Sequence, residues 1–258
     1  MTCGSVSLSR RVGFLRSLAV WSVICTATIL FGLPAIPFAL LPPRGEWFLK
    51  FARGWARLIL RVSGVRVRLV HPERLNPGTS VVLAANHESF YDILVLLAFL
   101  PMSVRFLAKR NLFRLPFLGW SMAAAGFIPV DRQSRSRNAA VVDTALARLQ
   151  KGRSLVVFPE ETRTRDGELL PFKTGAALIA LKAGLPMIPL GLAGTLRIQR
   201  RGGFTITPSR VALAVGEPIP TAKRPITDRG VLTDELRSRI QALREAARAD
   251  VESPPEAR

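Results

Sequence analysis

Between residues 65 and 192, short apolar runs rich in β-branched residues alternate with segments of helical spacing. Residues 80–84, 104–108, 155–158 and 187–192 read as strands, apolar nearly throughout, as strands buried on both faces are. Between them, residues 93–100 read as a buried helix stopped by Pro101. Residues 137–151 carry Val142, Leu146 and Leu149 at helical spacing before Gly152, and residues 174–183 form a small-residue apolar helix. This alternation predicts an α/β fold: a mainly parallel sheet with helices on both faces.

Shorter pieces complete the pattern. Residues 65–70 alternate apolar and basic, as a half-exposed strand does, and residues 126–132 read as a short strand ending in the pair Asp131-Arg132. Residues 204–207 and 211–215 read as a hairpin at an antiparallel edge. Leu236, Ile240, Leu243 and Ala247 mark a terminal amphipathic helix, and a tail begins at Ser253. There is no internal repeat. The expected organisation is a membrane-anchoring helical segment over residues 1–63, a single domain over 64–252 and a tail over 253–258.

The N-terminal quarter has a different character. Residues 17–43 hold no charge, with Arg10, Arg11 and Arg16 before them and Arg44, Lys50, Arg53 and Arg57 after. No small-x-small cleavage site follows, so the run reads as a retained anchor rather than a signal peptide. Pro34 and Pro37 interrupt it, and basic residues flank both sides, so the positive-inside rule assigns no orientation. An apolar helical hairpin dipping into one leaflet accommodates both facts. In residues 46–62 the charges share one face, opposite a wide apolar arc with Trp47 and Trp55. That pattern fits a helix at the membrane interface. It also fits a helix packed on the globular part, but the adjoining hairpin favours the membrane.

Charge narrows the partners. The net charge is +19, and 31 of the 37 basic residues are arginine, which suits a phosphate-bearing partner. The basic residues are scattered among apolar runs, which argues against a nucleic-acid groove. Cys3 and Cys25 are the only cysteines, so neither a disulfide framework nor a zinc set is expected. No P-loop, G-x-G-x-x-G or G-x-S-x-G motif occurs, which disfavours a serine acyl-enzyme.

Two polar clusters fall where strands end. Asn86, His87 and Asp92 follow the strand at 80–84, and Glu160 and Arg163 follow the strand at 155–158. Ligands of open α/β sheets bind beyond the carboxyl ends of strands. A carboxylate on one ring nitrogen of His87 would fix its tautomer and leave the other nitrogen as a base. Taken alone, the heptapeptide also fits a helix-capping His87 and a surface Asp92. Lys109, Arg132 and Lys173 are further candidates. One base, several cations and no metal set suggest transfer to a hydroxyl on a phosphate-bearing substrate.

In these blocks the chain resembles the glycerolipid acyltransferases of the lysophosphatidate acyltransferase type. Asn86-His87, four residues, then Asp92 is similar to the family's first block. Residues 109–119 with 126–132 resemble the second, Phe158-Pro159-Glu160-Glu161-Thr162-Arg163 the third, and Ile188-Pro189 the fourth. The resemblance covers residues 65–220. It implies that His87, oriented by Asp92, takes the proton of an acceptor hydroxyl that attacks an acyl thioester directly, with no covalent acyl-enzyme. It also implies that Arg163 binds the acceptor phosphate, with Asn86, Lys109, Arg132, Glu160 and Lys173 as further substrate contacts. The implied product is phosphatidate for phospholipid synthesis. No cofactor is implied beyond acyl-CoA or acyl carrier protein as co-substrate. The partners implied are a lysophospholipid acceptor and the bilayer, met at the cytoplasmic face. One position departs: Glu161 stands where the family has glycine, which points either to a loop that needs no glycine conformation or to another acceptor. The alternatives are acylation of glycerol 3-phosphate or of another lysolipid, and a non-enzymatic basic protein of the membrane surface.

Overall fold

A computed structural model describes residues 3–40, 46–131, 135–149 and 151–253. Two helices come first, α1 (Cys3–Leu40) and α2 (Glu46–Val62). Then follow β1 (Arg66–Val70), β2 (Val82–Ala85), α3 (Tyr91–Phe99), β3 (Val104–Lys109), α4 (Leu118–Ala124), β4 (Ile128–Val130) and α5 (Arg135–Leu149). The chain continues through β5 (Ser154–Val157), α6 (Gly175–Ala183), β6 (Met187–Ala193), α7 (Thr195–Ile198), β7 (Arg210–Val215) and α8 (Arg229–Glu252).

The strands form one sheet in the order β1-β7-β6-β2-β5-β3-β4. Every pair is parallel except β6 with β7. The mainly parallel α/β sheet expected from the alternation is therefore present. The β-strand period of two splits its side chains cleanly. Leu83, Ala85, Val156 and Phe158 face a core built with α1, α2, α3 and α4. Val82, Ala84, Leu155 and Val157 face a second core built with α5, α6 and α8. Strand β2 lies at the centre, between β5 and β6, and the carboxyl ends of β2, β3, β5 and β6 share one edge.

The expected hairpin at residues 204–215 is corrected. Residues 204–207 form no strand, because their backbone groups are taken elsewhere. The Trp21 indole donates to the Phe204 carbonyl (2.8 Å), Ile206 N–H donates to Ser17 Oγ (3.0 Å), and Thr207 N–H donates to the Ile198 carbonyl (2.9 Å). Strand β7 runs antiparallel to β6 and parallel to β1. It sits between β6 and β1, and the sheet's edges are β1 and β4.

The N-terminal helices also differ from expectation. Helix α1 runs on through Pro34 and Pro37, which lie in its last two turns; each removes one backbone bond, to the carbonyl four residues before it. Helix α2 packs antiparallel to α1: Arg16 reaches the Ser63 carbonyl (2.9 Å) and the Trp55 indole donates to Thr28 Oγ1 (3.2 Å). Its apolar arc turns inward, burying Phe48, Leu49, Ala52, Ala56, Ile59 and Leu60 against α1 and α3. Each large side chain there is worth roughly 1.5–3 kcal/mol of burial, so α2 is a core helix rather than an interfacial one. The boundary at residue 63 is one of chain order, not of packing.

Candidate active site

The loop leaving β2 is fixed by side chain to backbone bonds. Beyond the register pair Ala85 and Leu190, the Asn86 amide continues the ladder. It accepts the Leu192 N–H (2.7 Å) and donates to the Leu192 carbonyl (2.9 Å). His87 is next. Its backbone N–H donates to Glu160 Oε1 (2.7 Å), and its carbonyl accepts the Thr164 N–H (3.0 Å). Its ring stacks on Phe158, with centroids 4.0 Å apart and planes at 18°. The loop after β5 therefore holds His87 from both sides.

Helix α3 begins at Tyr91, so Asp92 lies in its first turn, folded back toward His87. Asp92 is fully buried. Its Oδ2 meets His87 Nδ1 at 2.8 Å and accepts the N–H groups of Glu88 (2.7 Å) and Ser89 (2.8 Å). Its Oδ1 accepts the Thr195 hydroxyl. With the carboxylate as acceptor, Nδ1 carries the ring proton and Nε2 keeps its lone pair. Nε2 makes no hydrogen bond to a described residue, and His87 lines a cavity.

That cavity measures about 1270 Å³ and has two kinds of wall. One part is apolar, closed by Phe31 of α1, Phe48 and Trp55 of α2, Ile93 of α3, Met122 of α4 and Phe127. The other is cationic, with Lys109, Arg163, Lys173 and Arg201. Arg163 is half-buried, and its guanidinium hydrogen-bonds no described residue. Burial pulls its pKa down, and the nearby Arg201 adds to this, while Asp92 opposes it. Arg201 Nη1 lies 3.4 Å from the Arg163 carbonyl. Glu161 lines the same cavity, so this wall carries one acid beside its four cations.

The sequence candidates divide accordingly. His87, Lys109, Arg163 and Lys173 line the cavity, with Asp92 directly behind His87. Asn86 and Glu160 do not line it: Asn86 is bound to β6, and Glu160 spans His87 N–H and Leu170 N–H (2.9 Å) with its two oxygens. Their geometry is that of scaffold rather than substrate contact. Burial raises the Glu160 carboxyl to about 7 against those two backbone bonds. Arg132 lies outside the described residues.

Glu161 contradicts the expectation of a loop that needs no glycine conformation. Its φ is +57°, so the loop does take the left-handed conformation that glycine adopts most easily, and a glutamate supplies it. Thr195, Arg201 and the buried pair Glu88–Arg244 (2.9 Å) were not foreseen. Each reaches its partner from a distant stretch of chain, so no local pattern marks it.

A His–Asp pair thus stands at the carboxyl edge of a mainly parallel sheet, with His87 lining a cavity of apolar and cationic side chains. Residues 66–193 match the acyltransferase family model, and the chain belongs to the acyltransferase family. Among its relatives is the chloroplastic 1-acyl-sn-glycerol-3-phosphate acyltransferase LPAT1 of Arabidopsis thaliana, 31 % identical over 91 % of this chain and 65 % of the relative. Another is the human 1-acyl-sn-glycerol-3-phosphate acyltransferase beta, 29 % identical over 89 % and 82 %. The chain spans between about half and two thirds of the length of the first curated relatives it matches. The crystal structure of the 1-acyl-sn-glycerophosphate (LPA) acyltransferase PlsC from Thermotoga maritima superposes with a TM-score of 0.81. It covers 96 % of this chain and 99 % of that one at 22 % identity, so the fold is shared.

Proposed function

We propose that this chain transfers a fatty acyl group from an acyl thioester to the free hydroxyl of lysophosphatidate, giving phosphatidate. His87 Nε2 takes the hydroxyl proton as the oxygen attacks the thioester carbonyl. The tetrahedral intermediate collapses, the C–S bond breaks, and the thiolate receives the proton from His87. Asp92 holds the imidazole in the right tautomer and offsets its transient charge. Arg163 and Arg201 grip the acceptor phosphate, and the apolar part of the cavity takes an acyl chain. Lys109 and Lys173 are further phosphate contacts. The thiol carrier is coenzyme A or acyl carrier protein, and the chain works at the cytoplasmic face of a membrane.

The observation that carries this reading is His87, whose Nε2 hydrogen-bonds no described residue, in a cavity lined by both apolar and cationic side chains. Names of relatives support the acceptor. The test is acyl transfer from palmitoyl-CoA and palmitoyl-acyl carrier protein to lysophosphatidate, with wild type, His87→Ala and Arg163→Ala side by side. Wild type should form phosphatidate. His87→Ala should lose about 10²–10⁴-fold in turnover. Arg163→Ala should raise KM for lysophosphatidate while its competition against lysophosphatidylcholine weakens. A fully active His87→Ala variant would end the mechanism.

A further inference from the structure

The cavity does not end at the catalytic edge. It crosses to the other face of the sheet and follows α6, lined there by Val141 and Val142 of α5 and by Leu178 and Ile179 of α6. Helix α6 starts at the carboxyl edge with Lys173 and Thr174 at its entrance, and it delivers the chain to the opposite edge, where β6 begins. Lys182, also lining the cavity, sits in the last turn of α6, seven residues beyond Gly175. At 1.5 Å per residue it lies about 10 Å down the helix from the catalytic end. Thr221, whose hydroxyl bonds the Ala180 and Leu185 carbonyls, ties the approach to α8 to the same end. Arg229, the first residue of α8, completes the lining there.

These two cations have no carboxylate partner among the described residues, whereas Arg224 and Arg239 nearby are both paired with Glu235. Asp143 is the acid in this stretch of the wall. The dipole of α6 favours Lys182 at its carboxyl end, but the dipole of α8 disfavours Arg229 at its amino end. An apolar trough that starts beside His87 and ends in two unpaired cations matches a thiol at the end of a long, weakly polar arm bearing phosphate at its far end.

We infer that the α5–α6 trough is the carrier site, holding a phosphopantetheine arm with its phosphate on Lys182 and Arg229. This rests on the proposed acyl transfer: the acceptor phosphate occupies Arg163 and Arg201, and the donor enters from the opposite face. The phosphate belongs to the arm shared by coenzyme A and acyl carrier protein.

The experiment uses the full chain with Lys182→Glu and Arg229→Glu, singly and together; both residues are exposed, so the fold should persist, and circular dichroism checks it. The double variant should raise KM for palmitoyl-CoA by roughly tenfold or more. It should leave unchanged both KM for lysophosphatidate and turnover with a phosphate-free palmitoyl thioester of N-acetylcysteamine. An equal rise with palmitoyl-acyl carrier protein assigns the site to the shared arm; a rise with one carrier alone assigns it to that carrier. Unchanged KM with both carriers, or a rise for lysophosphatidate instead, overturns the inference. If wild type transfers no acyl group, the functional reading fails separately. Direct calorimetry then decides the site: coenzyme A binding that is lost in the double variant supports it, and binding that is absent or unaltered overturns it.

Discussion

Glu160 gives both carboxylate oxygens to backbone N–H groups, one of them that of His87. Burial raises its pKa from the ordinary 4.5 to about 7. Between those values the folded chain holds a proton that the unfolded chain has released. This contribution to stability is complete below the ordinary carboxyl pKa and is lost as pH climbs through about 7. Glu160→Gln cannot titrate and has one acceptor oxygen for two donors, so it should cost about 1–3 kcal/mol. In urea denaturation, wild type should lose stability relative to Glu160→Gln as pH rises from about 5 to 7.5. A constant gap between the two would refute the assignment. Glu161, next in the chain, is held at φ +57°. A non-glycine residue pays roughly 1–2 kcal/mol there, partly offset by the larger unfolded-state entropy of glycine. Glu161→Gly should therefore raise the thermal midpoint by about 2–4 °C, and an unchanged or lower midpoint counts against strain. The sequence made His87 and Asp92 legible because five residues of local chain join them. It could not reveal Thr195, 103 residues from Asp92, since nothing local marks a hydroxyl aimed at a remote carboxylate.

Among the elements, α1 carries two jobs on two faces. Val20, Ile24 and Ala27 are buried, while Leu15, Leu18, Ile29, Leu30 and Leu33 are exposed on the opposite side of the helix. Its segment Val12–Pro34 is long and apolar enough to cross a membrane, and only 22 % of that window is buried. Yet Thr28, Phe31 and Gly32 line the cavity. Deleting α1 would remove a cavity wall together with the anchor, so truncation cannot separate the two. Leu15→Glu with Leu33→Glu can, because both positions face away from the core. That variant should stop floating with anionic phospholipid vesicles yet keep its activity on detergent-dispersed acceptor. Flotation equal to wild type would rule out this face as the membrane contact. The apolar run was plain in the sequence. The inward turn of α2 was not, because an amphipathic arc reads the same against lipid as against a protein core.

At the scale of the whole molecule, the family match at residues 66–193 contains His87 and Asp92 but not every residue that surrounds them. Thr195, Arg201 and Arg244 come from beyond it, and α1 and α2 from before it. Helix α8 makes the longest of these connections. It can lie close on β6 because Gly191 has no side chain: a Cβ there would come within 2.5 Å of the Leu243 backbone. That approach brings Arg244 Nε to Glu88 Oε1 at 2.9 Å, with both side chains 5 % exposed. Glu88 also lies beside Asp92, and burial with that neighbour raises its pKa while Arg244 opposes the rise. Removing one member of a buried pair leaves the other uncompensated, at about 3–5 kcal/mol. Arg244→Met should therefore lower stability by an amount of that order and reduce turnover, since the stranded Glu88 adjoins the backbone N–H groups that hold Asp92. Adding Glu88→Gln removes the stranded charge. The double variant should recover most of the lost stability, which makes the two substitutions strongly non-additive. Additive losses in a double-mutant cycle would mean that α8 supports the site by packing alone.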